Sequence, residues 1–166
     1  MPARLPKEKL RLLYLLQCCN CPISAEELLE FCGDWLPFFS LQTTVFSLSD
    51  AGLIRPVVPV AGDRRYLITE AGRAALNEFK VNIPLSERES LQALSVPLAA
   101  KARTASTYPT AYHKQANGQY MVNLYILEQG SALLSLQMIA ASMDQAESIC
   151  RAWPARAPKI YASLFS

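Results

Sequence analysis

The sequence lacks the features that mark membrane and secreted proteins. No uninterrupted apolar run reaches the roughly 18 residues that a membrane-spanning helix needs. The apolar stretch 10–16 follows basic residues but is not followed by a small-residue cleavage site, so we expect no export signal. The five cysteines, an odd number, argue against a closed disulfide framework. These absences favour a cytoplasmic protein without a membrane partner.

Catalytic signatures are missing as well. His113 is the only histidine, and no carboxylate pair lies near it in the sequence. There is no glycine-rich phosphate loop and no nucleophile elbow. We therefore expect a binding protein with no catalytic residues and no cofactor, rather than an enzyme.

A strong excess of positive charge is also absent. Residues 1–82 contain nine basic and nine acidic side chains, and residues 83–166 contain seven and five. Because lysine and arginine contacts to phosphate supply most non-specific affinity for nucleic acid, this balance argues against a broad basic surface. A nucleic-acid contact would have to come from local clusters.

The first half of the chain has the periodicity of three helices. The spacing of apolar residues predicts helices near 7–19, 24–33 and 40–51. Ser24 and Glu27 have the spacing of a capping box at the start of the second helix.

Extended segments and a fourth helix follow. A proline-containing run and a returning strand predict a hairpin over 54–68, and Thr69 is placed to cap a further helix that ends near Phe79. Three helices, a hairpin and a closing helix in this order predict a winged helix-turn-helix domain over 1–82.

The second half changes period from helix to strand. Residues 83–104 are helical in pattern but contain Pro97, which predicts a linker helix in two pieces. Alternating residues predict a three-stranded antiparallel meander within 106–140, with Asn117-Gly118 in a type I′ turn.

Two C-terminal helices are expected to close this second domain, 105–166. Ser142 is placed to cap one helix and Pro158 to begin the other. We expect Trp153, Tyr161 and Leu164 to pack on the sheet face that carries Leu134 and Leu136. The predicted fold class is therefore α+β, with an N-terminal winged helix-turn-helix followed by a three-stranded antiparallel sheet packed on two helices.

Several sequence runs resemble one bacterial winged-helix family, still classed as a domain of unknown function (number 4364). They are FSLQTTVFSLSDAGLI at 39–54, YLITEAG at 66–72, NGxYxVxL at 117–124, AxxICxxW at 146–153 and IYxxL at 160–164. The similarity covers nearly the whole chain in the same order. The resemblance implies a DNA-binding regulator.

The third helix and the hairpin supply the candidate contacts to double-stranded DNA. In the third helix, Gln42 suits an adenine, whereas Thr43, Thr44 and Ser47 suit phosphates or thymine methyl groups. The basic cluster of the hairpin suits phosphates or the minor groove; it consists of Arg55, Arg64 and Arg65. The basic residues around the start of the first helix are further candidates for a flanking backbone contact; they are Arg4, Lys7, Lys9 and Arg11.

Two other functions remain open. Phe46 lies on the polar face of the third helix, which suits a winged helix that binds another protein. The group Cys18, Cys19, Cys21 and Cys32 contains a C-x-x-C spacing that suits a thiol or metal sensor. Cys19 and Cys32 fall on apolar helix faces, however, where free cysteine acts as a small hydrophobe, so we predict no metal site. The leading hypothesis is a homodimeric, sequence-specific transcriptional regulator whose C-terminal domain dimerises or senses an effector that the sequence does not name.

Overall fold

The computed structural model describes residues 5–58, 64–129 and 131–166. Within these ranges the chain forms six α-helices and two three-stranded antiparallel sheets, which confirms the predicted α+β class. The described residues fall into two compact units, 5–58 with 64–103 and 104–129 with 131–166. No helix in the described part of the chain is both long enough and apolar enough to cross a membrane.

The first unit contains four complete helices, three short strands and most of a fifth helix. Its elements are α1 (Lys7–Cys19), β1 (Ile23–Ser24), α2 (Ala25–Cys32), α3 (Phe38–Asp50), β2 (Ile54–Val57), β3 (Arg65–Ile68), α4 (Glu70–Phe79), a 3₁₀ turn (Lys80–Asn82) and α5 (Leu85–Thr107).

The predicted starts and ends of the first helices are largely confirmed. α2 begins with the predicted capping box: the Ser24 N–H donates to Glu27 Oε1 at 3.0 Å, and the Glu27 N–H donates to Ser24 Oγ at 3.1 Å. α3 begins two residues earlier than predicted, because Pro37 occupies the N-cap with a φ of −65° that already suits a helix start.

The predicted hairpin is present, with β2 and β3 paired antiparallel from Ile54↔Ile68 to Val57↔Arg65. Its turn, residues 59–63, lies outside the described residues. The structure adds the two-residue strand β1, which pairs with the other edge of β3 and gives the sheet order β1-β3-β2. β1 is too short for period-2 alternation to reveal it in the sequence.

The core of the first unit forms around α1. Leu12, Leu13, Leu15 and Leu16 are at most 1% exposed, so this helix is buried on nearly all sides. α4 also packs closely, since a Cβ at Gly72 would collide with the carbonyl oxygen of Leu53. Glycine at this position permits the close approach of the two backbone segments.

The predicted break at Pro97 is wrong, because α5 runs without interruption from Leu85 to Thr107. Pro97 removes the hydrogen bond to the carbonyl of Ala93, but both residues lie on the exposed side of the helix, where solvent can reach that carbonyl. On the opposite side Leu98 and Ala102 are fully buried. Burial of this face offsets the lost bond, and the segment expected as a linker contributes core residues to the first unit.

The second unit contains β4 (Thr110–Lys114), β5 (Tyr120–Glu128), β6 (Ser131–Ala140) and α6 (Met143–Ser163). The predicted three-stranded antiparallel meander is confirmed, in the order β4-β5-β6. The type I′ turn is wrong: of Asn117 and Gly118, Gly118 alone has a positive φ. The Gly118 N–H donates to the Gln115 carbonyl at 3.0 Å, so a type I turn followed by a left-handed glycine joins the strands.

A single helix, α6, covers the second sheet, so the two predicted C-terminal helices are wrong. Pro154 and Pro158 both lie inside α6, four residues apart and therefore on one side of the helix. Trp153 and Ala157 each precede one of these prolines and are buried against the sheet. Their burial stabilises the helix at the two positions where proline removes a hydrogen bond.

The packing predicted for this helix is confirmed in part. Trp153 is 3% exposed and belongs to the buried cluster of the second unit, against which Tyr161, Leu134 and Leu136 all pack. Leu164 is 63% exposed and does not pack there, because it lies beyond the end of α6.

Candidate nucleic-acid interface

α3 presents a continuous exposed stripe, which we call the α3 face. Phe39, Gln42, Thr43 and Phe46 are exposed and follow the i, i+3, i+4, i+7 spacing of one side of a helix. The two phenylalanines are 81% and 72% exposed, although each is large enough to bury a substantial apolar area. The α3 face therefore combines two apolar side chains with two polar ones and carries no charge.

The other two candidates on α3 lie away from this stripe. Thr44 is 7% exposed and shares the buried side of the helix with Leu41, Val45 and Leu48, and Ser47 is half-buried. Thr44, proposed from the sequence as a DNA contact, thus lies mainly on the buried side of α3. The Thr43 hydroxyl is available only in part, because it donates to the Phe39 carbonyl at 2.9 Å.

A shallow cleft of about 320 Å³ lies at the N-terminal end of the α3 face. Phe39, Ser40, Thr43 and Thr44 line it from α3, and Glu8 lines it from α1. The carboxylate of Glu8 would repel a phosphate or another anion at this end. The cleft thus favours a neutral or apolar group.

The hairpin contributes two exposed arginines. Arg55 lies on β2, which packs against α3, and Arg64 immediately precedes β3. Both side chains are exposed, and neither forms an ion pair with another described residue. Because an exposed guanidinium can bind phosphate oxygens with two parallel hydrogen bonds, these two residues remain candidates for a phosphate contact.

Arg65, the third arginine of the predicted basic cluster, is buried. Its side chain is 10% exposed and forms a bidentate pair with Glu27, with Nη1 to Oε1 at 2.7 Å and Nη2 to Oε2 at 3.3 Å. Nη1 also donates to the Pro22 carbonyl at 3.3 Å. This guanidinium, proposed from the sequence as a DNA contact, connects β3 to the start of α2 and is withdrawn from solvent.

Two of the four basic residues around the start of α1 form ion pairs within the first unit. Arg4 lies outside the described residues, and Lys9 is half-buried. Lys7 and Arg11 both pair with Glu87 of α5, Lys7 at 3.5 Å. The hydrogen bond from Arg11 lowers the pKa of Glu87 below its usual value, with smaller contributions from the charges of both cations.

The cysteines behave as core residues. Cys19 and Cys32 are fully buried, and burial raises the pKa of each thiol to about 12. Burial also raises the pKa of Cys18 and Cys21. The described residues contain no group of three or more potential metal ligands. Thiols held protonated in this way are poor nucleophiles and poor metal ligands.

Two features of the site were missed from the sequence. Glu27 was recognised as a cap but not as the partner of Arg65, because the two lie 38 positions apart and nothing local connects them. Phe39 was not recognised as part of the exposed stripe, although its spacing of seven from Phe46 places both on one side of a helix. The predicted helix began near residue 40 and so left Phe39 outside it; a helix that begins at Phe38 includes both phenylalanines.

The chain is thus a mixed α+β protein of two units, and its first unit has an uncharged exposed helix face beside an arginine-bearing hairpin. The chain matches the family described as a domain of unknown function (DUF4364) over residues 8–166, and it belongs to that family. No curated protein and no solved structure matches the chain.

Proposed function

We propose that this protein is a sequence-specific DNA-binding regulator whose first unit is a winged helix-turn-helix domain. The observation that carries the proposal is the position of the α3 face beside the hairpin that holds Arg55 and Arg64. In a winged helix the third helix enters the major groove and the hairpin contacts the backbone. The order of α1, α2, α3, the hairpin and α4 supports this assignment.

Each exposed residue has a role that fits its chemistry. Gln42 presents an amide that can bond both N6 and N7 of an adenine. Phe39 and Phe46 suit the methyl groups of thymines on either side. Arg55 and Arg64 suit phosphates, which fix the position of the helix in the groove but carry little sequence information. The α3 face therefore supplies selectivity and the hairpin supplies charge.

The small number of free arginines leads to a quantitative expectation. Each phosphate contact adds about 0.9 to the slope of log affinity against log salt for double-stranded DNA. Replacing Arg55 and Arg64 together with alanine should lower that slope by about two units and weaken binding to all sequences. Gln42→Ala should instead cost about 1–3 kcal/mol at the preferred sequence alone.

The test is a fluorescence-anisotropy titration of labelled duplexes over a range of salt concentrations. A matched control replaces Arg156 and Lys159, two exposed cations of the second unit, and should leave the slope unchanged. The proposal is wrong if the wild-type protein shows no salt-dependent binding. It is also wrong if the Arg55/Arg64 variant retains the wild-type slope.

A second candidate is a winged helix that binds another protein through the α3 face. Phe38, Phe39 and Phe46 are 50%, 81% and 72% exposed, α3 has no lysine or arginine, and Glu8 lines the adjacent cleft. A protein partner would bury these aromatic side chains, which are typical of interface anchors. Absence of DNA binding at low salt, together with a protein partner captured by wild type but not by the Phe39→Ser variant, would favour this function over the first.

A further inference from the structure

β6 is an outer strand of the second sheet, and no other described strand pairs with its outer edge. It is ten residues long, from Ser131 to Ala140, and pairs with β5 along its inner edge. A register shift interrupts that pairing between Ile126 and Leu127, so β6 is regular from Leu134 onward. An exposed strand of this length presents a row of backbone donors and acceptors to any matching strand.

The direction of these backbone groups follows from the pairing. The Tyr125 N–H donates to the Pro109 carbonyl at 3.1 Å, so the backbone groups of Tyr125 face β4. Because directions alternate along a strand, those of Leu124 face β6. Leu124 is paired with Leu136, whose groups therefore face β5. The residues on either side of Leu136 direct their N–H and C=O groups away from the sheet.

The other described sheet edges carry features that discourage pairing. β6 carries one such feature, the bulge at Leu133, which lies between the partners of Ile126 and Leu127; its regular part, from Leu134 to Ala140, carries none. β2 contains Arg55 and Pro56, and β4 ends with the exposed His113 and Lys114. β1 has two residues only. Charge, proline, shortness and bulges are among the devices by which edge strands remain unpaired. Ser131–Ala140 has no charged residue and no proline.

The side chains of β6 are also left partly uncovered. Leu133, Met138 and Ile139 are 44%, 42% and 46% exposed. They lie on both faces of the strand, since Met138 points to the side opposite Ile139. An apolar edge exposed on both faces gains from a partner that extends the sheet rather than from one that covers a single face.

We propose that β6 pairs antiparallel with β6 of a second copy of this chain, about a two-fold axis at Leu136. The two three-stranded sheets then form one sheet of six strands. In this register Ser135 lies opposite Gln137 of the second copy and Leu134 lies opposite Met138. Polar residues meet polar residues and apolar residues meet apolar ones.

The alternatives fit less well. Moving the axis by one residue, to Gln137, places Ser135 opposite Ile139, a polar residue against an apolar one. Pairing of β6 with β4 of another copy would bring Lys114 to an uncharged edge and would generate an open chain of molecules. A strand without charge meets no like charge when it pairs with itself, which is the requirement at a two-fold axis. This inference does not depend on what the first unit binds.

Two double variants test the register by sedimentation equilibrium. Ser135→Lys with Gln137→Lys places an introduced lysine opposite another lysine at two positions. Ser135→Lys with Gln137→Glu places each introduced lysine opposite a glutamate, on the same exposed side chains. We expect the wild type and the lysine–glutamate variant to dimerise, and the lysine–lysine variant to dimerise about tenfold or more weakly. A monomeric wild type, or two variants with equal affinity, would overturn the proposal.

Hydrogen exchange of the wild-type protein tests the same interface without substitution. The backbone amides of Ser135 and Gln137 point outward in the monomer and are bonded in the proposed dimer. Their exchange should slow about tenfold between concentrations below and above the dissociation constant. The amide of Leu136, which faces β5, is the internal control. If the amides of Ser135 and Gln137 exchange at the same rate at every protein concentration, β6 is not the interface.

Discussion

Arg65→Met should destabilise the first unit more than any change to the neighbouring arginine. The substitution keeps the length and the apolar part of the side chain but removes the guanidinium. Glu27 is 6% exposed and would lose the cation that now binds both of its carboxylate oxygens. The Ser24 N–H would remain as a donor to it, at 3.0 Å. The Pro22 carbonyl would also lose the bond from Arg65.

The magnitude follows from the burial of this pair. Removing one partner of a buried ion pair typically costs about 3–5 kcal/mol, because the remaining charge is left uncompensated. The side chains are 10% and 8% exposed, which places the pair in that class rather than among exposed pairs worth about 0–1 kcal/mol. Since a domain is stable by about 5–15 kcal/mol, the variant should lose a large share of its stability.

Urea denaturation followed by circular dichroism measures this loss. Arg64→Met is the matched control, since Arg64 is exposed, and it should change the free energy of unfolding by no more than about 0.5 kcal/mol. Combining Arg65→Met with Glu27→Gln should recover part of the loss, because a neutral amide is less costly to bury. The reasoning is refuted if Arg65→Met costs less than about 1 kcal/mol, or if the control costs as much.

Two further predictions concern the second unit and the pairing of α1 with α5. Trp153→Ala should lower the free energy of unfolding by about 3–5 kcal/mol. Trp153→Phe should lose mainly the hydrogen bond from the indole N–H to the Tyr125 carbonyl, worth about 1 kcal/mol. An unchanged melting temperature in the alanine variant would show that Trp153 is not a core residue. Because the pKa of folded Glu87 lies below its ordinary value of 4.5, its contribution to stability should be complete above that pH and lost as the pH falls through the lower folded value. Glu87→Gln should remove this part of the acid dependence, and an identical pH profile in the two proteins would contradict it.

Local signals in the sequence were sufficient for most helix and strand positions. Ser24 and Glu27 marked the start of α2 because a capping box is formed by residues three apart. The hairpin of the first unit and the meander of the second followed from alternation and turn residues, which are also local. The position of the turn at Asn117-Gly118 was predicted correctly. Its type was not, because the turn type depends on how many residues the two strands leave unpaired between them.

The errors at proline have a common physical origin. Pro97, Pro154 and Pro158 each remove one helical hydrogen bond, and sequence rules treat that loss as the end of a helix. Whether the helix continues depends on what the residues around the proline bury. Leu98 and Trp153, next to two of these prolines, are core residues, and their burial is a tertiary property that the local sequence does not reveal.

The candidate site was harder to predict, because exposure decides function there and sequence does not report exposure. Arg64 and Arg65 look like one basic cluster in the sequence, yet successive residues of an extended segment point to opposite sides. Two adjacent arginines therefore cannot both face one phosphate backbone. The partner of Arg65 comes from α2, and the pairing of β1 with β3 brings the two together. The hairpin is left with Arg55 and Arg64 as free cations, so DNA binding through the α3 face and the hairpin would take much of its affinity from uncharged contacts and should show a shallow dependence on salt.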